Sequence, residues 1–60
     1  MKAFKLRYKK AGASVTVTNW VTEQVAKMWF DQLKADNSCQ WCELLYTPED
    51  TEYIMDEFVK

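Results

Sequence analysis

Thr47-Pro48-Glu49-Asp50-Thr51-Glu52-Tyr53-Ile54-Met55-Asp56-Glu57-Phe58-Val59, "TPEDTEYIMDEFV", decides the fold of this 60-residue chain. Its first four residues have the chemistry of a helix start: a threonine cap, a proline at the first helical position and two first-turn acids. Thr51, Ile54, Met55, Phe58 and Val59 then follow helical spacing. The same stretch also fits a loop over 47–52 and a strand, Tyr53 to Val59, that closes a hairpin against the preceding segment. One reading ends the chain in a helix, the other in a strand.

The preceding segment is Ser38-Cys39-Gln40-Trp41-Cys42-Glu43-Leu44-Leu45-Tyr46, rich in residues that suit a pleated surface, and it predicts a strand from Cys39 to Tyr46. Alternation puts Cys42, Leu44 and Tyr46 on one face and Trp41, Glu43 and Leu45 on the other. It also sends Cys39 and Cys42, three positions apart, to opposite faces. A redox pair would need a helix N-terminus beneath the first sulfur and a longer βαβ scaffold, and neither is visible. A structural zinc site takes four ligands, of which this C-x-x-C supplies two. Without histidine or further cysteine, only a dimer sharing four thiols would complete one, so two reduced core cysteines and no cofactor are expected.

Further upstream, Phe4, Leu6 and Tyr8 alternate with Lys5, Arg7 and Lys9, and Val15-Thr16-Val17-Thr18 repeats the period after Lys10-Ala11-Gly12-Ala13. An even-numbered turn would set Tyr8 opposite Val15 and Leu6 opposite Val17, leaving Lys5, Arg7, Lys9, Ser14, Thr16 and Thr18 on one face. A three-residue loop would set the valines against lysines instead. Thr22-Glu23 then supplies a cap and a first-turn acid, and Val25, Ala26, Trp29, Phe30 and Leu33 share a helical face. Glu23 precedes Lys27 by four residues, a favourable surface pair. The helix should end at Asp36-Asn37-Ser38, with Asn37 able to adopt a left-handed conformation.

The order "WCELLY", polar turn, "YIMDEF", after a helix "TEQVAKMWFDQL", resembles the closing half of small tailed-phage accessory proteins with a ββαββ arrangement. That resemblance spans most of the chain and favours the strand for 53–59. With that strand, and with a length that makes one domain over residues 1–60, the expected fold is α+β: a four-stranded antiparallel sheet, most simply in the order 2-1-3-4, with one helix on one face. The alternative remains a ββαβα chain ending in a helix. The resemblance also implies a factor, acting in the host cytoplasm, that inhibits or redirects a host protein such as a defence nuclease or its effector complex. No binding residue carries over from it.

Composition narrows the function classes. Sixty residues leave room for one small core, and nearly half the residues are apolar, so the chain folds rather than staying disordered. No apolar run is long enough for a bilayer, and Met1-Lys2-Ala3-Phe4-Lys5 is no signal sequence; a cytoplasmic protein with no membrane partner is expected. Residues 1–22 carry five cations and no acid, residues 23–60 three lysines and nine acids, so the halves should attract one another within a net charge of −1. With no histidine and a single glycine, neither a histidine base nor a glycine-rich phosphate loop is available, and no catalytic residue is assigned.

One helix covers one sheet face, so the other is open. It should carry Trp41, Glu43 and Leu45 beside Lys5, Arg7 and Lys9, with Arg7 paired to Glu43 and a cation over the Trp41 ring. The fourth strand would add Tyr53 and Met55 or, in the opposite register, Ile54 and Phe58. Apolar and aromatic groups flanked by cations have the composition of a protein-binding surface for a larger partner. A homodimer that buries the face, or residues that simply cover one another, would account for the same pattern. Base stacking on Trp41 beside Arg7 would suit RNA or single-stranded DNA, against which stand the acidic balance and Glu43.

Overall fold

The computed structural model describes residues 3–60. Strand β1 (Phe4–Lys10), the two-residue β2 (Thr16–Val17), helix α1 (Glu23–Ala35), β3 (Cys39–Tyr46) and β4 (Tyr53–Val59) follow in that order. The sheet is antiparallel throughout with strand order β2-β1-β3-β4, the ββαββ arrangement. Residues 53–59 are thus strand, although their apolar spacing is helical. As a strand, β4 pairs the outer edge of β3 and brings Phe58 opposite Cys42, from where its ring meets Phe30 edge-on at 5.3 Å. Tertiary pairing outweighs the local helix signal.

Phe4, Leu6, Cys39, Cys42 and Leu44 form the sheet side of the core, and Ala26 and Phe30 of α1 close over them. Tyr8, Val21, Trp29, Leu33, Tyr46 and Phe58 pack at the margin, with Phe4 and Tyr46 stacked at 4.9 Å. Thr22 caps α1 by accepting the Val25 N–H at 3.3 Å, and Lys27 pairs with Glu23 at 3.1 Å. The helix ends without a left-handed residue: Asn37 has a negative φ, like every described residue except Gly12. Instead Asp36 stays extended and its carboxylate accepts both the Ser38 N–H, at 2.9 Å, and the Ser38 hydroxyl, at 2.7 Å.

The first hairpin departs from the even-turn expectation. Gly12, at φ 78°, lets Ala13 donate back to Lys10, and the strand resumes only at Thr16, with five residues between it and Lys10. An odd interval shifts the register by one, so Arg7 faces Val17 and Tyr8 faces Thr16. Val17 therefore lies on the open face, Thr16 and Thr18 on the helix side, and Val15 outside any strand. Thr18 extends the pairing in a mixed way: its N–H donates to Leu6 O and its hydroxyl accepts the Leu6 N–H. The next pair joins Phe4 to Val21, which leaves one extra residue in the Asn19–Trp20 step.

The charge asymmetry closes the fold. Lys5–Glu52, Arg7–Glu43 and Lys10–Asp36 each tie the basic first third to the acidic remainder. Asp36 is the junction where the strands meet the helix end: Lys10 reaches its carboxylate, and Lys60 donates to its carbonyl. The Ser38 hydroxyl and amide, then Lys10, hold the Asp36 carboxyl well below the usual carboxylate range. No helix among the described residues is long and apolar enough to cross a membrane.

Candidate functional site

The face of the sheet away from α1 is built from three cross-strand rows. One runs Lys5, Leu45, Ile54; the next Val17, Arg7, Glu43, Glu57; the third Lys9, Trp41, Val59. Residues paired across strands share a face, so the register alone assigns these positions. Trp20 joins the first row from the connector after β2, with the Lys5 ammonium 4.5 Å from its ring centroid. Two largely apolar rows flank an ionic one.

Within the ionic row, Arg7 Nε and Nη2 both donate to Glu43 Oε1, each at 2.6 Å. That bond, opposed by partial desolvation, raises the Arg7 pKa further and keeps the guanidinium charged. In the first row Lys5 reaches Glu52 Oε2 at 2.6 Å, and its hydrogen bond draws the Glu52 carboxyl below its ordinary value. Lys9 donates to Gln40 at 3.2 Å. Two of the three cations are paired, with Glu43 and Glu52; Glu57 and Lys9, which make no ion pair among the described residues, balance in charge, so the face as a whole is nearly neutral.

The expected site residues are distributed unevenly. Lys5, Arg7, Lys9, Trp41 and Glu43 lie together on this face. Leu45 faces the same way but is only 1% exposed, closed over between Lys5 and Ile54, so it forms a floor and not a contact. A one-residue bulge at Met55 separates the Leu44–Asp56 pair from the Leu45–Ile54 pair. Ile54, 51% exposed, therefore takes the open-face position. Tyr53, opposite Tyr46, lies on the helix side, and Met55 lines a groove of about 310 Å³ with Lys27, Phe30 and Asp56. Phe58 also faces the helix. The cation expected over Trp41 instead covers Trp20, which is 50% exposed. Sequence reasoning missed Trp20 because a tryptophan in a polar connector has no periodicity; the Asn19–Trp20 bulge turns it outward.

The cysteines also depart from simple alternation. Lys9 pairs with Trp41 but Lys10 with Cys39, so Gln40 is an extra residue and the strand bulges there. Beyond a bulge the faces exchange, and Cys39 returns to the side of Cys42. Both thiols are free and buried in the core beneath α1. The Cys39 thiol lies 3.4 Å from Trp41 O. Burial, with smaller contributions from Cys39 and Glu43, pushes the Cys42 thiol up to about 12. Such a thiol stays protonated and inert. Buried sulfurs also cannot meet a second subunit's pair without opening the core.

A second groove, of about 340 Å³, lies between the β2 edge and the end of α1, lined by Tyr8, Trp29 and the Lys10–Asp36 pair. Among the described residues no three metal-ligating side chains come together. No family model matches the chain, and neither a curated protein nor a solved structure matches it.

Proposed function

We propose that this chain is a small non-enzymatic binding module that acts by docking its open sheet face on a larger protein. The observation that carries the reading is the pair of tryptophans, Trp20 and Trp41, set on that face with Val17, Ile54 and Val59 around a central ion-pair row. Val59 is 79% exposed and Trp20 half exposed, so this apolar surface is paid for only when a partner covers it. Rigid aromatic anchors around a satisfied polar centre have the make-up of an interaction hot spot. The resemblance to phage accessory proteins supplies the biological direction: occupation of a host protein, such as a defence nuclease or its effector complex, that inhibits or redirects it.

Nucleic acid fits the face less well than the basic sequence of β1 suggests. Lys5 and Arg7 are each committed to a carboxylate at 2.6 Å, which leaves few cations to neutralise a phosphate backbone. A homodimer through the same face is the other occupant to be tested.

Affinity capture from host lysate, run with the unaltered chain and with Trp20→Ala, Trp41→Ala and the helix-surface control Met28→Ala, separates these occupants. Each tryptophan variant should weaken the captured complex by ~2 kcal/mol or more, with Met28→Ala unchanged. Full binding by folded Trp41→Ala and Arg7→Ala variants would exclude the open face. Oligonucleotide binding that weakens steeply with salt would assign the face to nucleic acid, and a concentration-dependent dimer abolished by Trp41→Ala would assign it to self-association.

A further inference from the structure

The sheet has a second unpartnered surface, the outer edge of β4. We infer that this edge accepts an extended, lysine- or arginine-bearing segment of another protein as a fifth strand. This surface is the backbone edge, whereas the open face is made of side chains, and the inference does not rest on the reading of that face, although Ile54, Glu57 and Val59 belong to both. Strand β4 is last in the sheet order, and seven residues give it a length of roughly 23 Å. Every residue in it except Phe58 is exposed, and of the devices by which natural edge strands prevent pairing it has the bulge at Met55 and the inward-facing Asp56 but neither proline nor lysine.

Charge selects the occupant. Asp56 and Glu57 lie mid-strand, and Glu49 and Asp50 precede it; none of the four makes an ion pair among the described residues. The flanking Lys60 is turned away to the Asp36 carbonyl. A second copy pairing antiparallel about the middle of β4 would bring Asp56 and Glu57 of both chains together, and like charges opposite one another oppose that pairing. A basic strand gains where a second copy loses.

Asp56 makes the edge conditional. Its carboxylate accepts the Glu57 N–H at 2.8 Å, so a backbone donor on β4 is satisfied by a side chain of its own strand. An incoming lysine or arginine draws the Asp56 carboxylate to itself and frees that N–H for the carbonyl of the added strand. An acidic or neutral strand offers no such exchange, and the amide stays capped. The same added strand would flank the groove at Met55 and Phe30 on its helix side.

An acetylated and amidated octapeptide alternating lysine with threonine tests this by amide shifts and hydrogen exchange. It should bind and protect amides within 53–59. The matched glutamate–threonine peptide should bind about tenfold more weakly, since a few exposed ion pairs are lost and like charges meet in their place. A lysine peptide with alternate amides N-methylated on its pairing edge should not bind, and Asp56→Asn should weaken the unmethylated peptide several-fold. Equal binding of the methylated peptide would show charge attraction without strand addition and overturn the proposal. So would equal binding of the glutamate peptide, or protection elsewhere than β4. Trp20→Ala, far from β4, should leave peptide binding unchanged, so the edge and the open face fail independently.

Discussion

The two faces of one sheet bury apolar surface by different means. Under α1, Phe4, Leu6, Cys42 and Leu44 meet Ala26 and Phe30, side chain against side chain with no polar group buried among them. On the other face Leu45 is buried as completely as Leu6, yet no helix lies over it. Its cover is Ile54 and the stem of Lys5, whose ammonium is held between Glu52 and the Trp20 ring. A covering helix excludes water with a fixed layer. Long side chains cover only the centre, and the rim stays apolar and accessible. The difference explains how 60 residues both complete a core and leave an apolar surface open on the other face.

Removing the largest helix-side anchor tests the first half of that comparison. Phe30→Ala should lose ~3–5 kcal/mol in urea denaturation, much of the stability of so small a domain. Leu45→Ala tests the second half. If the open face has its own small core, the loss should be ~2–4 kcal/mol, comparable to Leu6→Ala. A loss under ~1 kcal/mol would mean that Leu45 is hidden but not packed, and would break the comparison.

Strands β1 and β3 and the helix were legible because their periods differ: two in Phe4–Tyr8 and Cys42–Tyr46, helical in Val25–Leu33. Strand β4 was not, because its own spacing is helical and only the resemblance to ββαββ proteins favoured a strand. The charge of the two halves foretold their attraction, which the Lys5, Arg7 and Lys10 ion pairs bear out. Single-residue insertions were not legible. The bulges at Gln40 and Met55 and the odd interval before Thr16 each exchange faces for every residue beyond them. They reunite the cysteines, turn Ile54 in place of Met55 to the open face, and move Val17 there as well. A bulge is chosen by backbone twist and packing across strands, and no local residue pattern in this chain announces it.

The reunited cysteines give the next, smaller effect. With the Cys42 thiol raised to about 12 by burial, the folded chain keeps a proton that the unfolded chain releases near its ordinary value of ~8.5. Its stabilising contribution is complete below ~8.5 and is lost as pH rises from there towards 12. Denaturation midpoints should fall over that window, and Cys42→Ala should flatten the fall. A thiol reagent should label neither cysteine at neutral pH until denaturant is added. Rapid labelling of the folded chain would place a thiol at the surface and contradict the bulge at Gln40.

The smallest effect separates the two functions of Lys5. Lys5→Met keeps an unbranched stem over Leu45 but removes the bond to Glu52 and the charge over Trp20. Exposed pairs contribute little, so stability at neutral pH should change by no more than ~0.5–1 kcal/mol. Lys5→Ala removes the stem as well and should cost more than Lys5→Met, because Leu45 then meets water. Acid titration distinguishes the charge from the stem. The Glu52 carboxyl, lowered chiefly by its hydrogen bond to Lys5, contributes stability above its unfolded value near 4.3, and that contribution is lost as pH falls through the lower folded value. Lys5→Met and Lys5→Ala should both remove this part of the acid transition, while only Lys5→Ala lowers the neutral plateau appreciably. If the two variants coincide at neutral pH, the ion pair and not the stem seals Leu45, and the open face is held shut by charge alone.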